Sequence, residues 1–136
     1  MVSDNPHDTL VVSSPTFSFD KGNPDGFSVS VFLLGGKGGA SAPSGSLSSL
    51  PPSSSTTGFL GVALRRISDG AYLLHTRRSA NAQYAAWEGH GWTSSQIAQA
   101  IEGDAPNETY CVDVIDQFHG GWGWLVVDSV TVRGVK

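Results

Sequence analysis

Cysteine and charge are both scarce in this chain. Cys111 is the single cysteine, which excludes an internal disulfide and a multi-cysteine zinc site. Only 15% of residues are charged, and eight Lys and Arg against twelve Asp and Glu leave a net charge of −4. That balance offers no basic surface for neutralising phosphates, so nucleic acid is not an expected partner. No apolar run approaches the roughly 18 residues of a membrane-spanning helix, and no membrane partner is expected. The opening Met1-Val-Ser-Asp-Asn-Pro6 lacks the basic and then apolar pattern of a signal peptide.

What is present is glycine, 17 residues of 136, together with 39% hydrophobic content. This favours an ordered, turn-rich, all-β chain long enough for one sizeable core. Residues 1–136 are read as one domain. Leu10 to Val12 and Phe17 to Asp20 predict short strands, and Lys21-Gly-Asn-Pro-Asp-Gly26 predicts a hairpin-like connection. Strict alternation from Phe27 places Phe27, Val29, Val31 and Leu33 on one face of the next strand. Residues 35–58, mostly Gly, Ser, Pro, Ala and Thr, read as a long loop inserted within the domain.

Phe59 to Ile67 and Ala71 to Arg77 predict a hairpin turned by Ser68-Asp69-Gly70, with Leu60, Val62 and Leu64 on one face and Gly61, Ala63 and Arg65 on the other. Tyr84 to Trp92 reads as a structured loop. Thr93 to Gly103 predicts the one short helix, with Ile97 and Ile101 on its buried side. Tyr110 to Phe118 and Trp124 to Arg133 predict the closing strands. The expected fold is an antiparallel, jelly-roll-like β-sandwich.

Candidate chemistry clusters late in the chain. Alternation in the last strand puts Trp124, Val126, Asp128, Val130 and Val132 on one face, leaving a carboxylate among apolar neighbours unless a bulge shifts the register. Asp116 lies at a strand end, where it either faces a ligand or caps the following turn. The glycines around Trp122 and Trp124 allow one indole to be displayed while the other enters the core. Aromatic faces stack on the C–H face of a sugar ring, and carboxylates, imidazoles and guanidinium groups bind its hydroxyls. Arg65, His75, Arg77, Trp87, Glu88, Asp116, His119 and Trp122 supply that chemistry. Solvated strand-end arginines and packed tryptophans are the competing structural explanation.

His7, His75, His90 and His119 are dispersed, with no helix pair for zinc. No Gly-x-Ser-x-Gly elbow occurs, and no acid pair has a spacing that compels glycoside hydrolysis. An enzyme is not expected; one would need two acids, or an acid with His75 or His119, converging on one substrate atom. No cofactor is expected, although Asp116, Asp128 and loop carbonyls could hold a structural calcium.

The run Val112-Asp-Val-Ile-Asp-Gln-Phe-His-Gly-Gly-Trp-Gly-Trp-Leu-Val-Val-Asp-Ser-Val130 resembles the terminal strands of carbohydrate-binding sandwich modules found with levanases and other family 32 glycoside hydrolases. Thr9 to Pro15, the Asp69-Gly70 turn and Trp92 before a short helix occur in the same order as in those modules. The resemblance implies a jelly-roll-like sandwich that binds sugar ends, including fructosides, without cleaving them. It differs from that family in the insertion at 40–57, in Asn81 or Gln83 where an acid is expected, and in Trp124 where histidine is frequent. The expected function is therefore a non-catalytic module recognising sugar termini of a glycan, in an extracellular or secretory setting and beside other domains of a parent protein. The alternative is a protein-interaction or structural module with buried tryptophans.

Overall fold

The computed structural model describes residues 10–35, 59–77, 86–117 and 125–136. They form an all-β antiparallel sandwich of two sheets with one short helix. Strands β1 (Leu10–Ser13), β2 (Ser28–Gly35), β3 (Leu60–Arg66), β4 (Tyr72–Arg77) and β5 (Glu88–Trp92) precede α1 (Ser94–Ala100), and β6 (Tyr110–Asp116) and β7 (Leu125–Arg133) follow it. One sheet has the order β1-β6-β3-β4 and the other β5-β2-β7. Apart from the β3–β4 hairpin, each step along the chain passes from one sheet to the other, which is the jelly-roll-like feature of the topology.

Alternation selects the core. Phe27, Val29, Val31 and Leu33 from the second sheet meet Leu60, Val62, Leu64, Tyr110, Val112 and Val114 from the first, and all are buried. The β3–β4 hairpin forms as its turn chemistry predicts: Gly70 has φ 72°, and Asp69 Oδ1 accepts from the Ala71 N–H at 3.1 Å. The helix begins with a reciprocal capping box, in which Thr93 Oγ1 accepts from the Gln96 N–H and Gln96 Oε1 accepts from the Thr93 N–H. Ile97 and Ile101 then close the core from that side.

Three expectations are corrected, and the bulge left open for the last strand is found. The turn at residues 21–26 is a crossover between sheets rather than a hairpin, because β1 pairs with β6 and β2 with β5 and β7. Residues 17–20 make only isolated bridges, Phe17 to Tyr110 and Phe19 to Val135, rather than a strand. Glu88 to Trp92 is a strand, not a loop, and its register on β2 places Glu88, His90 and Trp92 opposite the buried Leu33, Val31 and Val29. The last strand contains a bulge: Val127 pairs with Leu33 and Val130 with Val31, so Asp128 and Ser129 together stand opposite Phe32. The extra residue turns Asp128 out to solvent and keeps Val130 and Val132 against the core. The buried carboxylate that simple alternation implied at Asp128 is thereby avoided.

The bridges of Phe17 to Tyr110 and Phe19 to Val135 mark one end of the sandwich. At the opposite end lie Leu10, Leu60, Asp116 and Arg77 of the first sheet, and Gly35, Glu88 and Leu125 of the second. Residues 36–58, including most of the expected loop insertion, lie outside the described residues.

Candidate functional site

Strand direction sorts the expected site residues. Arg77, Trp87, Glu88 and Asp116 reach the end of the sandwich defined by Leu60 and Leu125. His119 and Trp122 lie outside the described residues, as do Trp124, Asn81 and Gln83; Gln117 and Leu125, which border residues 118–124, are both buried at this end.

Trp87 continues the β5 alternation outward and is 50% exposed. Glu88 turns inward at the rim, where its Oε1 lies 3.2 Å from His90 Nε2. The other ring nitrogen of His90 lies 2.7 Å from Thr76 Oγ1 on β4. Thr76 pairs with the core residue Val62 and so also faces inward, and the chain Glu88, His90, Thr76 joins the free edges of the two sheets. The contact with His90 holds the Glu88 carboxylate at the rim on the inward face of β5, while the Trp87 indole lies on the outward face of the same end. Asp116 shares the inward face of β6 with Val112 and Val114 and is only 2% exposed, so it is a packed, partnered carboxylate.

Two expected residues belong elsewhere. Arg65 points from the outer face of its sheet to the fully buried Asp113, with Nε 2.7 Å from Oδ2. Asp113 also accepts from Ser13 Oγ at 2.6 Å, Tyr72 O–H at 3.1 Å and Cys111 Sγ at 3.3 Å. A carboxylate with this many donors is satisfied without solvent, and Arg65 is its counter-ion. The Asp113 hydrogen bond raises the Arg65 pKa further. Burial, and then the Asp113 charge, push the Tyr72 hydroxyl upward and the Cys111 thiol up to about 12. His75 lies on the same outer face, edge-on to Phe59 with centroids 5.9 Å apart. Partial burial of the ring and then the Arg77 charge hold its pKa below the ordinary value, although the residue is exposed on that face.

A second ionic cluster stabilises the far end. Arg66 grips Asp69 through two bonds of 3.0 and 2.7 Å and reaches Asp104 at 2.6 Å, while Tyr110 O–H donates to Asp104 at 2.8 Å. These groups tie the hairpin turn to the segment after α1. Two grooves, of about 140 Å³ beside Phe27, Ala98 and Ile101 and about 360 Å³ beside Phe17, Val130 and Val132, contain none of the expected site residues.

Among the described residues, no three His, Cys, Asp or Glu side chains are grouped to hold a metal ion. Sequence reasoning missed Thr76, His90, Asp113 and Phe32. His90 was visible as a histidine, but its role follows from a strand that lacks apolar alternation. No protein-family model matches the chain, and no curated protein or solved structure matches it either.

Proposed function

We propose that the domain binds carbohydrate without cleaving it, recognising sugar termini of a glycan at the sandwich end that carries Trp87 and Glu88. The observation that carries this reading is the half-exposed Trp87 indole, set one residue before a carboxylate whose position His90 fixes. A ring stacked on the indole, with hydroxyls reaching over the rim to the carboxylate on the inward face, satisfies the two chemical sides of a sugar. Arg77 adds a cationic donor at the same end.

Thr76, His90 and Glu88 have the hydroxyl, imidazole, carboxylate order of a nucleophile triad. The threonine hydroxyl is nevertheless directed between the sheets, and the arrangement reads as a tie between strands. Binding in the millimolar to micromolar range corresponds to about −4 to −8 kcal/mol, within reach of one stacked ring and a few hydrogen bonds. Titration of the protein against a glycan panel by calorimetry or NMR tests the proposal. Saturable binding lost in Trp87→Ala supports it, and silence across the panel overturns it.

A further inference from the structure

Phe32 is the other exposed aromatic among the described residues, at 50%, and it lies on the same sheet face as Trp87. Its position follows from register. Phe32 pairs with Gly89, and Leu33 with Glu88, so the outward residues of this strand pair include Ser30, Phe32 and Leu34 on β2 and Trp87, Gly89 and Gly91 across from it. Residues diagonal to one another across an antiparallel pair are about 7–8 Å apart, within reach of two aromatic rings. The Phe32 ring leans over Gly89: its Cε1 would be 3.4 Å from a Cβ at that position.

The two glycines differ in what requires them. At Gly91 a Cβ would collide with the Val29 carbonyl, so close backbone approach accounts for that residue. At Gly89 the neighbour within 4 Å among the described residues is the Phe32 ring, not backbone. Glycine within a strand interior weakens the strand and marks places of close approach, by backbone or by ligand. The missing side chain at Gly89 makes room for the Phe32 ring, which lies over the strand on the face that also carries Trp87. Next to it, Ser30 stands between Gly91 and Thr131, placing small hydroxyls on the same face, while Glu88 and His90 face inward.

We infer that Phe32 and Trp87 form a two-ring stacking platform across Gly89, which extends the site from a terminal sugar to the next residue of an oligosaccharide. The inference rests on the sugar-binding reading above. Two half-exposed aromatic rings on one sheet face, with the Ser30 and Thr131 hydroxyls and the exposed Asp128 carboxylate beside Phe32, match successive sugar rings with apolar faces and hydroxyl edges. A protein partner covering the same face is the competing occupant.

The test is calorimetric titration of the wild type, Phe32→Ala and Phe32→Tyr with mono- to tetrasaccharides of the fructo-, cello- and xylo- series, with sedimentation measured alongside. Affinity is expected to rise about three- to tenfold from one sugar unit to two or three, as one additional stacked ring provides. Phe32→Ala abolishes that rise and leaves monosaccharide binding unchanged, whereas Phe32→Tyr retains it. If monosaccharides bind and longer ligands bind no tighter, or if the rise survives Phe32→Ala, the platform is overturned while the sugar reading stands. If no sugar binds, both fall. Self-association of the wild type that Phe32→Ala abolishes, with sugar affinities unchanged, assigns the face to protein contact and also overturns the platform.

Discussion

Thr76 on β4 and His90 on β5 meet across the open edge of the sandwich, with Oγ1 and Nδ1 2.7 Å apart. Each belongs to a different sheet, and each sits on its sheet's inward face near the proposed sugar site. The bond therefore couples the stacking of the sheets to the placement of Glu88, which His90 holds through its other nitrogen.

Replacing Thr76 by valine keeps the shape and removes the hydroxyl. The expected loss is about 1 kcal/mol, the net value of one partly buried hydrogen bond, or about 4 °C in Tm. A double-mutant cycle with His90→Gln measures the coupling directly; additive effects would show that the contact contributes nothing.

Arg65 and Asp113 are expected to be far more sensitive. Arg65→Met leaves a fully buried carboxylate without its counter-ion and should cost about 3–5 kcal/mol in chemical denaturation. Combining it with Asp113→Leu removes both charges and should recover much of that loss. A double variant less stable than Arg65→Met would contradict this assignment. None of these substitutions touches Trp87, so sugar binding by the folded fraction is expected to persist.

The Cys111 thiol, buried and raised to about 12, should be inert to aromatic disulfide reagents in the native protein at pH 8. Labelling should proceed only at the rate of opening and become complete on unfolding. Rapid stoichiometric labelling of the native protein would show that the outer sheet face is open at this position.

Asp69 is held down to about 2 by its Arg66 bonds and then by the Ala71 N–H. Its folded pKa lies below its ordinary value of 3.8, so its contribution to stability is present above about pH 4 and disappears as pH falls through about 2. Asp69→Asn should flatten the stability profile within that window. Because the group is open to solvent, salt at 1 M should weaken the same dependence in the wild type. An unchanged profile in Asp69→Asn would assign the acid sensitivity to other carboxylates.

Much of the scaffold was legible because local chemistry and tertiary packing agree. Asp69-Gly70 specifies the hairpin, Thr93 and Gln96 specify the helix start, and the Val29, Val31, Leu33 alternation specifies the central strand of the smaller sheet. Strand β5 was not legible. Glu88-Gly-His-Gly carries no apolar periodicity, since its inward residues sit at a polar rim and only Trp92 reaches the core. Its register is imposed by β2. For the same reason the placement of Phe32 and Trp87 on one face was hidden: the strand holding Phe32 was read correctly, but its neighbour was read as a loop.

Arg65 shows the converse limit. Alternation placed it on the outer face, where a solvated or ligand-binding cation is the natural reading. That face is instead covered, with Ala63 and Ile115 buried beside Phe59, and Asp113 arrives from a strand 48 residues away. Such a partnership is set by sheet order, which no local pattern encodes. The bulge at Asp128 and Ser129 likewise depends on how β7 meets β2.

The most direct test is a calorimetric titration of the wild type and Trp87→Ala against the same mono- and oligosaccharide panel, with thermal denaturation of both proteins. The sugar-binding account predicts saturable millimolar to micromolar binding by the wild type, at least a tenfold loss in Trp87→Ala, and stabilities within about 0.5 kcal/mol of each other, as suits a half-exposed side chain. No binding across the panel, or binding that Trp87→Ala leaves intact, would contradict it.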